Sequence, residues 1–269
     1  MVNPHRRRKH RQAPPDAKAR RRSSRGRHLL PRHLPARVCG AAPVTLTIYR
    51  ELEQGTQEWI DARCGILTAS VIGKLMTTTL RPADNETSRG LIETLAAERI
   101  SGHVDYIHPS FDMQRGTLDE PLARNLYAEH YAPVEEIGFG VREINGHQLG
   151  ASPDGLVGTD GGIEIKSRRP RTHLRTMLND VVPTYNLAQI HTCMKVFDRD
   201  WWDYVSYAGG WPLYVKRVHR EPRWDDAITN VLDTFENGVT DVVNAYAPVA
   251  LGRPVAERVD HWADEIRIA

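Results

Sequence analysis

The segment Ser152–Lys166 constrains the fold most, because its residue pattern predicts a single β-hairpin. Its centre, Gly158–Gly162, consists of residues that favour chain reversal. A hairpin centred on Thr159 would place Asp154 opposite Glu164, with Cβ atoms roughly 5 Å apart. Two carboxylates at that separation repel each other unless a cation lies between them, and hard divalent cations prefer oxygen ligands. The segment therefore predicts an acidic metal site.

The second half of this hairpin follows strand alternation. In the run Ile163-Glu164-Ile165-Lys166, the two isoleucines would face a core while Glu164 and Lys166 face a cleft. A lysine beside two carboxylates can hold a water molecule or stabilise charge that develops on a phosphorus centre. The alternative is a solvent-exposed hairpin whose charged side chains are simply hydrated.

Charge is divided unevenly along the chain. Residues 1–37 contain 13 of the 36 lysines and arginines but only one acidic residue, so this segment carries +12 and the remainder −10. Residues 1–43 also lack large apolar periodicity, which predicts a disordered basic arm. Three interpretations stay open: an arm that binds nucleic-acid phosphates, a targeting segment, or translated upstream sequence that is absent from a mature protein beginning near Val44.

The composition from residue 44 onward is that of an ordinary globular protein, and we predict a single domain over 44–269. Cys39, Cys64 and Cys193 are too few and too widely spaced for a disulfide framework or a zinc or iron–sulfur site. These few, widely spaced cysteines, together with the lack of an apolar run long enough to span a membrane, favour a location in the reducing cytoplasm. The histidines show no ligand spacing, and His191 is predicted to be structural.

The hydrophobic periodicity predicts a mixed α/β (α+β) fold that ends in a long amphipathic helix. The predicted helices cover residues 56–63, 67–76, 88–100 (with Ser88 as the N-cap), 117–131, 184–196 and 224–246, and the predicted strands cover 136–144, 148–157, 162–167, 202–207 and 212–218.

Four further residues could contribute to a phosphodiester site. Glu120, in the first turn of the helix predicted over 117–131, could supply a third acid, or it could only complement the helix dipole. The Gln189 amide could hold a water molecule or a phosphate oxygen. Arg63 and Ser70 are separated by a tight turn and offer a guanidinium and a hydroxyl to a phosphate. Each of these residues could equally be an ordinary surface residue.

Taken in order, five segments resemble the lambda-exonuclease-like (YqaJ) viral recombinase family of the PD-(D/E)xK nuclease superfamily. They are Trp59-x3-Arg63 with Leu67-Thr68-Ala69-Ser70, Arg115–Pro121, Ser152-Pro153-Asp154-Gly155, Glu164-Ile165-Lys166-Ser167, and Tyr185-x3-Gln189 followed by Trp202–Tyr207. The resemblance covers about residues 50–215 and implies a restriction-endonuclease-like core, in which helices flank a central mixed β-sheet.

The resemblance also implies a role for each matching residue. Asp154, Glu164 and the Ile165 carbonyl would bind Mg²⁺ or Mn²⁺, with two ions in each site and Glu120 completing the shell of the second. Lys166 would activate the attacking water with help from Gln189 as a further catalytic residue. Arg63 and Ser70 would hold the 5′-phosphate of the strand being degraded.

The implied function is a metal-dependent 5′→3′ exonuclease of phage-type homologous recombination. It would bind double-stranded DNA ends as a homo-oligomeric ring and pass 3′ overhangs to a single-strand annealing protein in the cytoplasm of a bacterial or phage-infected cell. Two alternatives stay open. One is a PD-(D/E)xK endonuclease of the restriction or junction-resolving type, and the other is a non-catalytic protein that binds DNA through its basic arm.

Overall fold

Groups of helices and groups of strands follow one another in the computed structural model, which describes residues 45–105 and 107–259. The helices are α1 Gln57–Arg63, α2 Ala69–Ile72, α3 Glu86–Ser101, α4 Phe111–His130, α5 Pro170–Asn179, α6 Thr184–Phe197 and α7 Pro222–Ala250. The strands are β1 Leu46–Tyr49, β2 Leu67–Thr68, β3 Phe139–Ile144, β4 His147–Ala151, β5 Gly155–Val157, β6 Gly161–Ser167, β7 Trp201–Tyr207 and β8 Tyr214–His219. The predicted disordered arm, residues 1–43, lies outside the described residues.

The strands form two four-stranded sheets, ordered β1-β3-β4-β2 and β5-β6-β7-β8. Each sheet is mixed, because β2 pairs with β4 and β6 pairs with β7 in parallel while the other pairs are antiparallel. Parallel neighbours need a long crossover, and α5 with α6 supplies it between β6 and β7. The predicted mixed α/β class with flanking helices is confirmed, and its strands divide between two sheets.

Two apolar clusters position the site. The larger one packs α6 and α7 against the sheets and includes Leu149, Met194 and Phe235, all fully buried. In the smaller one, Tyr127 of α4 packs with Ile163 and Ile165 of β6. Complete burial of one such side chain contributes roughly 1.5–3 kcal/mol. Helix α4 therefore covers one face of β6, which leaves the other face for polar side chains.

Several local boundaries differ from the sequence prediction. Asn85, rather than Ser88, is the N-cap of α3, and Ser88 completes the capping box by accepting a hydrogen bond from the Asn85 backbone amide. The strand predicted over 148–157 is interrupted between β4 and β5, where residues 152–154 leave the ladder. The helix predicted from Leu67 begins as the two-residue strand β2 and becomes helical at Ala69.

Two other features bear on function. His191 is buried and its ring stacks on Trp224 with the ring centroids 4.6 Å apart, which confirms the structural role predicted for it. Among the described residues, no helix has both the length and the apolar character needed to cross a membrane.

Candidate active site

The predicted hairpin register is confirmed. Strand β5 pairs antiparallel with β6, with Gly155 opposite Ile163 and Val157 opposite Gly161. Extending this register by one residue places Asp154 opposite Glu164, at the point where β5 begins. Close packing favours this register. Only glycine fits at position 161, since a Cβ there would lie 2.1 Å from the ring of Trp201.

The side chains of β6 alternate as the sequence predicts. Ile163 and Ile165 pack beneath α4, whereas Glu164 and Lys166 line a cavity on the opposite face. Glu164 is fully buried and forms an ion pair with the Lys166 ammonium, and neither of its carboxylate oxygens accepts a regular hydrogen bond from the residues that the structure describes. A buried carboxylate is costly unless donors or cations surround it. Apart from Lys166, the Glu164 carboxylate lacks such donors in the described part of the chain, and a divalent cation, which prefers oxygen ligands, is suited to this position.

Electrostatics at the hairpin support the same interpretation. Burial raises the pKa of Glu164 to about 8, although Lys166 favours the charged form, and burial also raises the pKa of Asp154. Burial alone would lower the pKa of Lys166, but Glu164 and Asp154 outweigh it and raise that pKa. The lysine is therefore a cation, and a further cation bound beside it would favour the ionised forms of both carboxylates.

One oxygen of Asp154 is held in place by the neighbouring strand. Its Oδ2 accepts a hydrogen bond of 2.5 Å from the Ile165 amide, while Arg124 donates from Nε to the Asp154 carbonyl at 2.7 Å. Both the carboxylate and the backbone of Asp154 are thus fixed, and one carboxylate oxygen stays available to a ligand. Such positioning by surrounding groups is what a metal ligand requires.

Glu120 lies beside this group but not where the sequence predicts it. Because α4 begins at Phe111, Glu120 sits in the middle of the helix and cannot complement the charge of the helix N-terminus. Its carboxylate forms an ion pair with Arg124. Burial, followed by repulsion from Asp154, raises the pKa of Glu120 to about 7. Within the described ranges, no three His, Cys, Asp or Glu side chains are arranged as a metal cage.

Arg63 forms a second polar centre, in which hydroxyl groups surround its guanidinium. The guanidinium donates to the hydroxyls of Thr68, Ser70 and Ser152, each at 3.4 Å, and lies 3.8 Å above the ring of Trp59. Burial lowers the pKa of Arg63 to about 10, so it is charged at neutral pH. No carboxylate among the described residues forms an ion pair with it. A partly desolvated cation without an anionic partner is well suited to a phosphate.

The two centres share one cavity of about 210 Å³. Its walls include Arg63 and Ser70 at one end and Asp154, Glu164 and Lys166 at the other, and Gln189 of α6 also lines it. The structure therefore brings together every predicted site residue except Glu120 and Ile165. These two line a neighbouring cleft that also reaches Asp154 and Lys166.

Sequence reasoning missed Ser152, Thr68 and Trp59 as members of this site. The Ser152 hydroxyl accepts hydrogen bonds from both Arg63 and the Trp59 indole nitrogen, the latter at 3.0 Å. The available signal was position, because Ser152 precedes Asp154 by only two residues in the chain.

Comparison with known proteins identifies relatives of the chain. The model of the YqaJ-like viral recombinase domain matches residues 58–200. The chain is similar to an alkaline exonuclease (LHK-Exo) from Laribacter hongkongensis, with 30% identity, 72% of this chain and 100% of that chain covered, and a TM-score of 0.61. A structure of LHK-Exo in complex with dAMP gives the same values.

A phage-related exonuclease from Haemophilus somnus 129PT shares the fold at 11% identity, with 68% of this chain and 96% of that chain covered and a TM-score of 0.55. A search of curated protein sequences gave no match to the chain.

Proposed function

Because the chain belongs to the family of YqaJ-like viral recombinase domains and is a lambda-exonuclease-like nuclease, we propose that it degrades one strand of double-stranded DNA from the 5′ end and leaves 3′ single-stranded overhangs. The observation that carries this proposal is the single cavity joining Arg63 to the hairpin carboxylates. A terminal phosphate held by Arg63 would bring the next phosphodiester to Asp154 and Glu164. The same pocket would exclude strands that lack an end.

Asp154, Glu164 and the Ile165 carbonyl would hold Mg²⁺ or Mn²⁺, and Glu120 would complete a second metal's shell directly or through water. The unsatisfied oxygens of Glu164 support this assignment. When bound, the divalent cation supplies a water molecule of lowered pKa and neutralises charge on the phosphodiester. Glu120 would have to leave Arg124 or act through an intervening water.

The chain's own residues would then orient the reaction. Lys166 is a cation beside Glu164, so it can hold the attacking water and stabilise the negative charge that develops on the phosphate oxygens. The Gln189 amide, on the wall of the same cavity, can accept or donate a hydrogen bond to that water. Arg63, Ser70 and Ser152 fix the strand end, which makes hydrolysis effectively intramolecular.

We further propose a homo-oligomeric ring that passes its product to a single-strand annealing protein in the cytoplasm. The chain after residue 37 carries a net negative charge. A ring that encloses DNA could still retain it, because only the channel of the ring need be basic. Exposed apolar side chains along α4, among them Phe111, Leu118 and Leu122, provide a surface for contacts between subunits. Light scattering coupled to size-exclusion chromatography measures the mass, and a monomer at micromolar concentration would contradict the ring.

A comparison of linear and closed-circular duplex tests the exonuclease proposal. With Mg²⁺, the protein should release nucleotides from linear DNA and leave a covalently closed circle intact. Linearisation of the circle would instead favour the endonuclease alternative. Binding that persists in EDTA, with no nucleotide released from either substrate, would favour the non-catalytic DNA-binding protein.

A further inference from the structure

A second cleft, of about 510 Å³, opens beside the first cavity. Asp154 and Lys166 line both spaces, so the predicted reaction centre lies at their common wall. The first cavity contains Arg63, where the proposed function puts the terminal phosphate. A DNA strand that has its end at Arg63 and its scissile phosphate at Asp154 must therefore continue into the second cleft.

The charge of this cleft favours a polyanion. Apart from the hairpin groups and Glu120, its charged lining residues are Arg115, Arg168, Arg169 and Asp112, so three cations face one carboxylate. This local excess of +2 stands in a chain that carries −10 after residue 37. A basic channel in an acidic protein would direct a DNA strand to one path.

Arg168 is held rigidly with part of its guanidinium unused. It follows Lys166 by two residues, directly after β6 ends at Ser167, and both residues line the cleft. Its Nη2 donates to the Asn186 side-chain oxygen at 2.8 Å, and its Nε donates to the Tyr204 hydroxyl at 3.3 Å. No carboxylate in the described ranges pairs with it, and its Nη1 has no hydrogen-bond partner there. Such an arginine loses little freedom when it binds a phosphate.

Arg115 and Arg169 form the outer part of the cleft. Both donate to the same oxygen of Asp112, Arg115 at 2.6 Å and Arg169 at 3.0 Å. Arg115 is also oriented by a 3.0 Å hydrogen bond from its Nε to Ser167. One exposed carboxylate shared between two guanidiniums leaves a net charge of +1, and a phosphate has further oxygens that can accept from the same guanidinium N–H groups.

We propose that Arg168, Arg115 and Arg169 form a phosphate-binding subsite for the nucleotides on the 3′ side of the scissile bond. Arg168 binds the phosphate nearest the reaction centre, and Arg115 with Arg169 binds the phosphate beyond it. The subsite rests on the proposed exonuclease function, and it gives the enzyme a means of keeping the strand in register after each nucleotide leaves.

A double-mutant cycle between protein and DNA tests this subsite. The DNA is a 5′-phosphorylated duplex in which one of the first three phosphates 3′ of the scissile bond is replaced by a neutral methylphosphonate. Binding is measured by fluorescence anisotropy with Ca²⁺ in place of Mg²⁺, and a gel checks that the DNA stays intact. The proteins are the wild type, Arg168→Gln, Arg169→Gln and the control Arg175→Gln, which removes an exposed arginine of α5 that does not line the cleft.

In the wild type, the neutral linkage should weaken binding roughly tenfold at the matching position, because a hydrogen bond to a charged partner is lost. At the phosphate bound by Arg168, this penalty should vanish in Arg168→Gln. At the next phosphate, which Arg115 also binds, the penalty should be smaller in Arg169→Gln than in the wild type, whereas Arg175→Gln should behave like the wild type at both positions. An equal penalty in the wild type and in Arg169→Gln, whose side chain is exposed and belongs to neither apolar cluster, would overturn the subsite. A wild type that binds no DNA ends and releases no nucleotides would instead refute the proposed function.

Discussion

Removal of the Arg63 guanidinium should abolish discrimination between phosphorylated and unphosphorylated DNA ends. Among the described residues, this cation contacts hydroxyls at 3.4 Å and the face of Trp59, and it lies 5.8 Å from the ring centroid of Phe139. A terminal phosphate would be its first anionic hydrogen-bond partner. Ser70 and Ser152 could then turn their hydroxyls to the same phosphate oxygens.

The size of the effect follows from these contacts. A hydrogen bond to a charged group contributes about 1.5–3 kcal/mol, whereas the hydroxyl contacts at 3.4 Å are close to the length limit and are weak. One charge-assisted bond from Arg63 to the phosphate therefore corresponds to a preference of roughly 10- to 100-fold for a phosphorylated end. A bidentate contact would increase this preference.

The assay compares kcat/KM for two linear duplexes that differ only in a 5′-phosphate or a 5′-hydroxyl. The wild type should show the full preference and Arg63→Gln a ratio close to one. Arg89→Gln is the matched control, because Arg89 is an exposed arginine that pairs with Asp84 and lies outside the cavity. A thermal melt of each variant checks that the fold is intact. Retention of the full preference by a folded Arg63→Gln protein would refute the assignment of the end-binding pocket.

Three further predictions concern other groups. Lys166→Met should lower kcat by at least about 100-fold while end binding in Ca²⁺ persists, and near-normal turnover would remove Lys166 from the mechanism. Glu120→Gln should raise the Mg²⁺ concentration for half-maximal activity roughly tenfold, whereas an unchanged metal titration would assign Glu120 only to Arg124. Burial lowers the pKa of His191 to about 4, so the folded protein resists protonation of this ring and loses stability as pH falls from 6.5 towards 4. The loss is about 2–3 kcal/mol, and His191→Phe should flatten this part of the urea-measured stability profile; an unchanged profile would contradict the linkage.

The hairpin was predictable because its information is local. The turn residues at 158–162 fix the centre, and the alternation of Ile163 to Lys166 decides which side chains face the core. Periodicity and turn chemistry need no knowledge of distant contacts. The relation of Asp154 to Glu164 therefore follows from the sequence.

Helix boundaries were harder to predict where residues that disfavour a helix lie inside one. The helix predicted over 117–131 begins after Gly116, yet α4 begins at Phe111 and continues through both Gly116 and Pro121, with Ser110 as its N-cap. Tertiary packing of the buried Ala123 and Tyr127 on the sheet outweighs these unfavourable residues. The position of Glu120 within α4 and its ion pair with Arg124 depend on that packing, so they could not be predicted from the sequence.

The basic cleft was also absent from the sequence prediction. Helix α5 was not anticipated, although Pro170 occupies its first turn, where proline is favoured. Arg168 and Arg115 are far apart in sequence and meet because α4 packs against β6, and Arg168 directly follows that strand. Only the tertiary fold brings such residues to one cleft.

Nucleotide release from a 5′-labelled linear duplex most directly tests whether the hairpin is a metal-dependent nuclease site. Wild-type protein with Mg²⁺ should release the label, and neither wild-type protein in EDTA nor Lys166→Ala with Mg²⁺ should do so at a comparable rate. Equal release by the wild type and Lys166→Ala would contradict the account.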